Sequence, residues 1–157
     1  MPKDNPATAR IHKLHQEAFE GEAWHGPALH ELVSDIHVDH AAAKPITHAH
    51  SIWEIVLHIN AWQQAVLTRL NGQPVDLDGD EDWPPVIDNS ESAWEAAIAA
   101  LESVHRKLAD RIAALSDADL EQKVPGRDHT VYKTVHGLIQ HNLYHAGQIA
   151  ILKKSER

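Results

Sequence analysis

Cysteine is absent from the 157-residue chain, which excludes a disulfide framework, a thiolate metal site and a cysteine nucleophile. The same absence fits a reducing compartment, and the expected location is the cytoplasm. No uninterrupted apolar run approaches the ~20 residues that cross a bilayer. The amino-terminal stretch MPKDNPATAR also lacks the apolar centre of a signal peptide, so no membrane partner is expected. Basic residues are scarce: 14 Lys and Arg stand against 23 Asp and Glu, for a formal charge of −9. A chain that grips phosphate backbone presents Lys and Arg on one face, and none is evident here, so nucleic acid is not an expected partner. No segment alternates as a β-strand does, and no repeat, linker or low-complexity tract divides the chain. Residues 1–157 therefore read as one domain, long enough to bury roughly two-thirds of its unfolded surface.

What is abundant is histidine, 14 residues, as many as Lys and Arg together. Most must lie on the surface, so the question is which few converge. Four long stretches carry apolar residues at helical spacing. Residues 7–21 form the first, with Ile11, Leu14, His15 and Ala18 along one stripe and Gly21 as its stop. A turn at Trp24-His25-Gly26-Pro27 follows, with Pro27 opening a short helix through Val33. Residues 41–49, which include Pro45, are expected to be irregular. Ser51-Ile52-Trp53-Glu54 has the form of a capping box and opens the second long helix, which Asn71-Gly72 ends. Residues 73–89, rich in Pro, Asp and Gly, form a loop. A third helix starts at Ser90 or Ser92 and carries Trp94, Ile98, Leu101, Leu108, Ile112 and Leu115. After an irregular stretch over 116–129, a fourth spans 131–154 with Val135, Leu138, Ile149 and Leu152 on its buried stripe. The fold class is all-α: a four-helix bundle whose long connections permit a crossover topology.

His141 and His145 stand four apart, so they project from one face of the fourth helix on successive turns. Leu138, Ile149 and Leu152 share the stripe of His145, which places it inward and His141 at the margin. His58 lies midway along the second helix, flanked by Ile55, Ile59 and Trp62, where a surface residue is unexpected. Buried imidazoles need partners, and a metal ion supplies one to all three at once. Three protein ligands also leave a coordination position open for water or substrate. The rival reading is that these histidines only hydrogen-bond within the bundle.

The Ser51-Ile52-Trp53-Glu54 run with His58, together with Gln140-His141-Asn142-Leu143-Tyr144-His145-Ala146-Gly147-Gln148-Ile149, resembles the DinB-like superfamily, which includes YfiT-like metal-dependent hydrolases and bacillithiol transferases. The resemblance spans nearly the whole chain from the Trp24-His25-Gly26-Pro27 turn onward. It implies a crossover four-helix bundle, often homodimeric, with one divalent ion, zinc or nickel, held by His58, His141 and His145. It further implies a small-molecule substrate and an enzyme that activates either a low-molecular-weight thiol (S-transferase type) or water (hydrolase type). A metal-binding or dimerisation module without catalysis is the alternative.

Four further residues are candidates for the chemistry. Glu54, one turn before His58, is read either as a carboxylate that orients that imidazole or as the capping partner of Ser51. Gln148, three residues after His145, either faces the open position or serves packing. Tyr144 either donates to a bound ligand or anchors helices, and His25 is placed near the mouth of the site. His50, on a different turn from His58, is expected to cap or to face solvent. Trp53, Trp62 and Trp94 are read as core or interface residues, with Trp62 walling the pocket. The acidic run over residues 76–82 suggests a calcium loop only briefly: its glycine is misplaced, and Ile87 occupies the position of the bidentate glutamate. It is read as a solvated loop.

Overall fold

A computed structural model describes residues 6–155; Met1–Asn5 of the amino-terminal stretch read above lie outside them. Seven α-helices are present among the described residues: α1 (Ala7–Glu20), α2 (Leu29–Val33), α3 (Val38–Ala42), α4 (Ile52–Leu70), α5 (Glu91–Ala113), α6 (Asp117–Leu120) and α7 (Val131–Leu152). Among the described residues extended pairing is confined to one isolated bridge between Lys123 and Thr130. The four long helices are those expected. The short helix α6 falls in the stretch read as irregular, and α3 overlaps the other such stretch, 41–49, only at Ala41 and Ala42. At four and five residues they are too short to show a period, and packing decides them.

The ends of the long helices follow local chemistry. Ser51 Oγ accepts from Glu54 N at 3.1 Å while Glu54 Oε2 accepts from Ser51 N at 2.8 Å, which closes the capping box of α4. Gly72, at φ 86°, turns the chain out of α4 in the left-handed region that glycine occupies without penalty. Pro6 has no side-chain hydroxyl or carboxylate to cap α1. Asp117 of α6 does so instead, accepting from Ala7 N at 3.0 Å and Thr8 N at 2.9 Å. Ser90, not Ser92, caps α5. Pro27 does not open α2, which starts at Leu29 behind Ala28.

Each long helix packs against two others, α4 and α1 both against α5 and α7, so that α1 stands opposite α4 and α5 opposite α7. The buried arc of α1 runs through Thr8, Ile11, His15, Ala18 and Phe19. Leu14 lies past the edge of that arc and is 49% exposed, a correction to the expected stripe.

The core is divided. One apolar cluster gathers around Leu29, Ile52, Ile59, Leu101 and Ile149; another gathers around Ile11, Val66, Leu108, Ile112 and Val135. Between them lies a layer of buried polar side chains, one from each long helix: His15, Gln63, His105 and Asn142. His105 stacks on Phe19 and on His15, with ring centroids 3.9 and 4.5 Å apart. His105 Nε2 also meets Glu20 Oε1 at 3.1 Å. Both ring nitrogens of His15, both amide atoms of Gln63, His105 Nδ1 and Asn142 Oδ1 have no hydrogen-bond partner among the described residues. Such groups are costly to bury, and the layer interrupts the apolar stripe of every long helix. Among the described residues no helix is long and apolar enough to cross a membrane.

Candidate metal centre

His58 projects from α4 and His141 and His145 from α7, two helices that pack directly on each other. His58 and His145 are buried and His141 is half-buried, and one ring nitrogen from each lies within 4.8 Å of the others. His58 Nε2 and His141 Nε2 are 3.0 Å apart. Ring nitrogens bound at ~2.0–2.1 Å to one tetrahedral ion lie roughly 3.3 Å from each other, so the spacing suits a shared cation.

The protons on two of these rings are fixed from behind. His58 Nδ1 faces the main-chain carbonyl oxygen of Asp82 at 2.6 Å. A carbonyl only accepts, so Nδ1 holds the proton and Nε2 presents its lone pair. His145 Nδ1 faces Gln148 Oε1 at 2.6 Å, which directs the Nε2 lone pair of His145 inward in the same way. His141 Nδ1 is buried with no hydrogen-bond partner of normal geometry among the described residues, though the Asn142 side chain beside it favours the protonated ring. With its proton on Nε2, His141 donates to the His58 Nε2 lone pair across 3.0 Å; with the proton on Nδ1, the lone pairs of all three rings are free for a cation. The donor set therefore fits one divalent ion, and the three histidines can bind it together.

Burial lowers the pKa of all three imidazoles below 6.5. For His141 the value falls to about 4, with the charges of His145 and His58 adding to the effect of burial. All three are thus neutral near pH 7, the form in which imidazole ligates metal.

Loop residues 82 and 83 complete the surroundings. Asp82 Oδ1 lies 3.2 Å from His58 Nδ1 and accepts from Trp62 Nε1 at 2.7 Å. The indole of Trp83 stacks on His58, centroids 3.8 Å apart and 7° from parallel, and on its other face stacks on His50 at 3.6 Å and 9°. Trp62 stands edge-on to His58 and 5.9 Å from His141.

The other sequence candidates divide. Gln148 is the hydrogen-bond partner of His145. The Glu54 carboxylate joins Ser51, Lys44 Nζ at 2.8 Å and, more loosely, His50 Nδ1 at 3.5 Å. Its capping role is therefore filled, while the partner of His58 is Asp82. Tyr144 is 67% exposed, its ring edge-on to His145 at 5.1 Å. His25 is exposed in the turn after α1, and no hydrogen bond or ring contact of the described residues ties it to the triad. His50 is neither a cap nor simply solvated, since one face of its ring is covered by Trp83. Trp53 and Trp94 are core residues, edge-to-face at 5.3 Å.

Asp82 and Trp83 escaped sequence reasoning, and the acidic run is not wholly solvated as expected. The one signal was the tryptophan itself, a large aromatic at the end of an acidic segment and before Pro84-Pro85. Such a ring has reason to fold inward and take its neighbours along.

No curated protein and no solved structure matches the chain. Residues 23–149 match the DinB superfamily, a span that begins just before the exposed turn and closes on the last helix after both of its triad histidines. The chain belongs to the DinB superfamily.

Proposed function

We propose that the chain is a metal-dependent enzyme of the thiol S-transferase type, in which His58, His141 and His145 hold one divalent ion, zinc or nickel. The observation that supports this most is the convergence of three neutral imidazoles, two with their lone pairs directed inward by Asp82 and Gln148. When bound, such an ion supplies Lewis-acid chemistry that lowers the pKa of a thiol, or of water, brought to it.

The residues around the triad have separable tasks. Asp82 and Gln148 hold two rings in orientation and keep their outward nitrogens protonated. Trp83 covers one face of His58 and excludes water from it. His50 and Asp82 are the non-ligand groups whose charges are felt at both His58 and His145. The Asp82 carboxylate is already engaged with Trp62, and the Trp83 indole stands between His50 and the triad. Grooves of about 300 and about 350 Å³ flank the triad, one reaching His141 and the other reaching His50 and Gln148. Two grooves suit a reaction of two small molecules better than a closed structural site.

The test is elemental analysis of tag-free protein beside His58→Ala and His145→Ala, followed by a screen of small thiols against electrophilic acceptors. Near-stoichiometric metal in the parent, lost in both variants, with thiol-dependent turnover lost alongside it, is the expected result. Turnover without added thiol would move the reading to hydrolysis. A parent that takes up neither zinc nor nickel would sink the metal centre itself.

A further inference from the structure

The 300 Å³ groove beside His141 has a charge pattern unlike the chain around it. The protein carries a formal charge of −9, yet no acidic residue lines this groove, and its far end is formed by Arg69, His129 and Lys133. Lys133 is exposed and has no ion-pair partner among the described residues. Arg69 Nε and one Nη donate to the Val75 carbonyl at 3.2 and 2.8 Å, and that same Nη lies 3.6 Å from Asp76. The second amino group of Arg69 has no hydrogen-bond partner among the described residues. Asp76 is itself exposed and shared with Arg127, so the groove end keeps a net positive charge.

Between the two ends the walls are apolar. Trp62 lies near both ends, with the Arg69 guanidinium 5.6 Å from its ring centroid and the His141 ring 5.9 Å from it. Val66 and Leu138 continue the wall. Gly137 leaves the α7 side open, since a Cβ there would meet nothing within 4 Å. A groove with an apolar middle, a cationic far end and a metal-ligating histidine at the near end selects for one kind of molecule.

We propose that this groove binds the substrate by an anionic group, a carboxylate or phosphate on a compact apolar body, with Arg69 and Lys133 taking the anion and Trp62 the body. The inference rests on the metal-enzyme reading only for what happens at the near end; the groove's own selectivity stands apart from it. The reacting atom of such a molecule would lie at His141, away from the anion.

Calorimetric titration of the full-length, zinc-loaded protein with benzoate, phenyl phosphate and neutral benzamide tests this, with the metal content of each sample measured. Benzoate or phenyl phosphate should bind saturably and shift the Trp62 indole N–H resonance, and benzamide should bind roughly tenfold more weakly or not at all. The stronger of the two anions identifies the headgroup. Lys133→Glu should weaken the anion at least severalfold, and Gly137→Leu, which fills the groove, should abolish binding; both should keep their metal. Anion binding should also survive chelation of the zinc. Equal binding of benzoate and benzamide would overturn the proposal, as would no anion binding, or anion binding lost on chelation but indifferent to Lys133→Glu. Lys133-dependent binding in a protein that takes up no metal would leave the groove standing and remove the metal centre instead.

Discussion

Asp82 meets His58 twice, through its main-chain oxygen at 2.6 Å and its carboxylate Oδ1 at 3.2 Å from the same Nδ1. The carbonyl fixes the tautomer, and the carboxylate adds negative charge behind the ring. Substituting the side chain separates the two contributions. In Asp82→Ala the carbonyl remains, so zinc affinity should fall by about tenfold, the lower end of what loss of such a partner costs. Competition with a chromogenic chelator measures it. An unchanged affinity would mean that the carbonyl alone holds the imidazole.

Among the described residues Gln148 is the one hydrogen-bond partner of His145 Nδ1, so its removal is less buffered. Gln148→Leu should lower zinc affinity by ~10–100-fold while leaving the helix intact. Gln148→Glu, which keeps an acceptor and adds charge, should restore most of that loss. Equal affinities in all three proteins would show that helix geometry is enough to orient His145.

Trp83 ties the loop to the bundle by lying between His50 and His58. Trp83→Ala should lower unfolding stability by about 1–3 kcal/mol and should expose His58 to solvent exchange. Chemical denaturation followed by circular dichroism gives the first quantity, and imidazole proton exchange gives the second. A variant as stable as the parent would mean that the loop contributes nothing through this ring.

Acid should destabilise the fold through the polar layer. Burial holds His15 at about 3 and His105 at about 4, against 6.5 when unfolded. Below pH 6.5 the unfolded chain therefore binds protons that the folded chain refuses, and stability falls as pH falls, down to the folded values. Between pH 7 and 5.5 the loss should be about 1 kcal/mol for each of the two histidines. His15→Leu removes one of them and two buried nitrogens without partners. It should flatten the pH dependence and be neutral or stabilising at pH 7. A pH profile identical to the parent's would rule out His15 as a source of the acid sensitivity.

Zinc should raise the melting temperature, because a site shared between α4 and α7 exists only in the folded chain. At a free concentration about a thousand times Kd the gain is roughly 4 kcal/mol, worth on the order of 10 °C for a domain of this size. Scanning calorimetry with and without chelator reads it, and His58→Ala should abolish the difference. A shift that persists in His58→Ala would place the stabilising ion elsewhere.

By itself the sequence determined the features that depend on near neighbours. Helical period set the four long helices, and the Ser51–Glu54 capping box and the Asn71-Gly72 stop set the bounds of α4. The four-residue spacing put His141 and His145 on one face, and the apolar flanks of His58 turned it inward. What needed tertiary structure is whatever joins residues distant in the chain. The Glu54 carboxylate had two local roles open to it, and the cap filled one, because its acceptor and donor lie within three residues. The partner of His58 then came from 24 residues away, in a loop with no periodicity to report which way its side chains point. Likewise His15, Gln63, His105 and Asn142 each look like a lapse in an apolar stripe, and only the packing of four helices aligns the lapses into one layer. The cationic end of the groove is built from α4 and α7 with the turn before α7, and its charge emerges only when those segments meet. Short-range geometry is written in the local pattern of residues, whereas proximity across the bundle is fixed by how whole helices bury their faces.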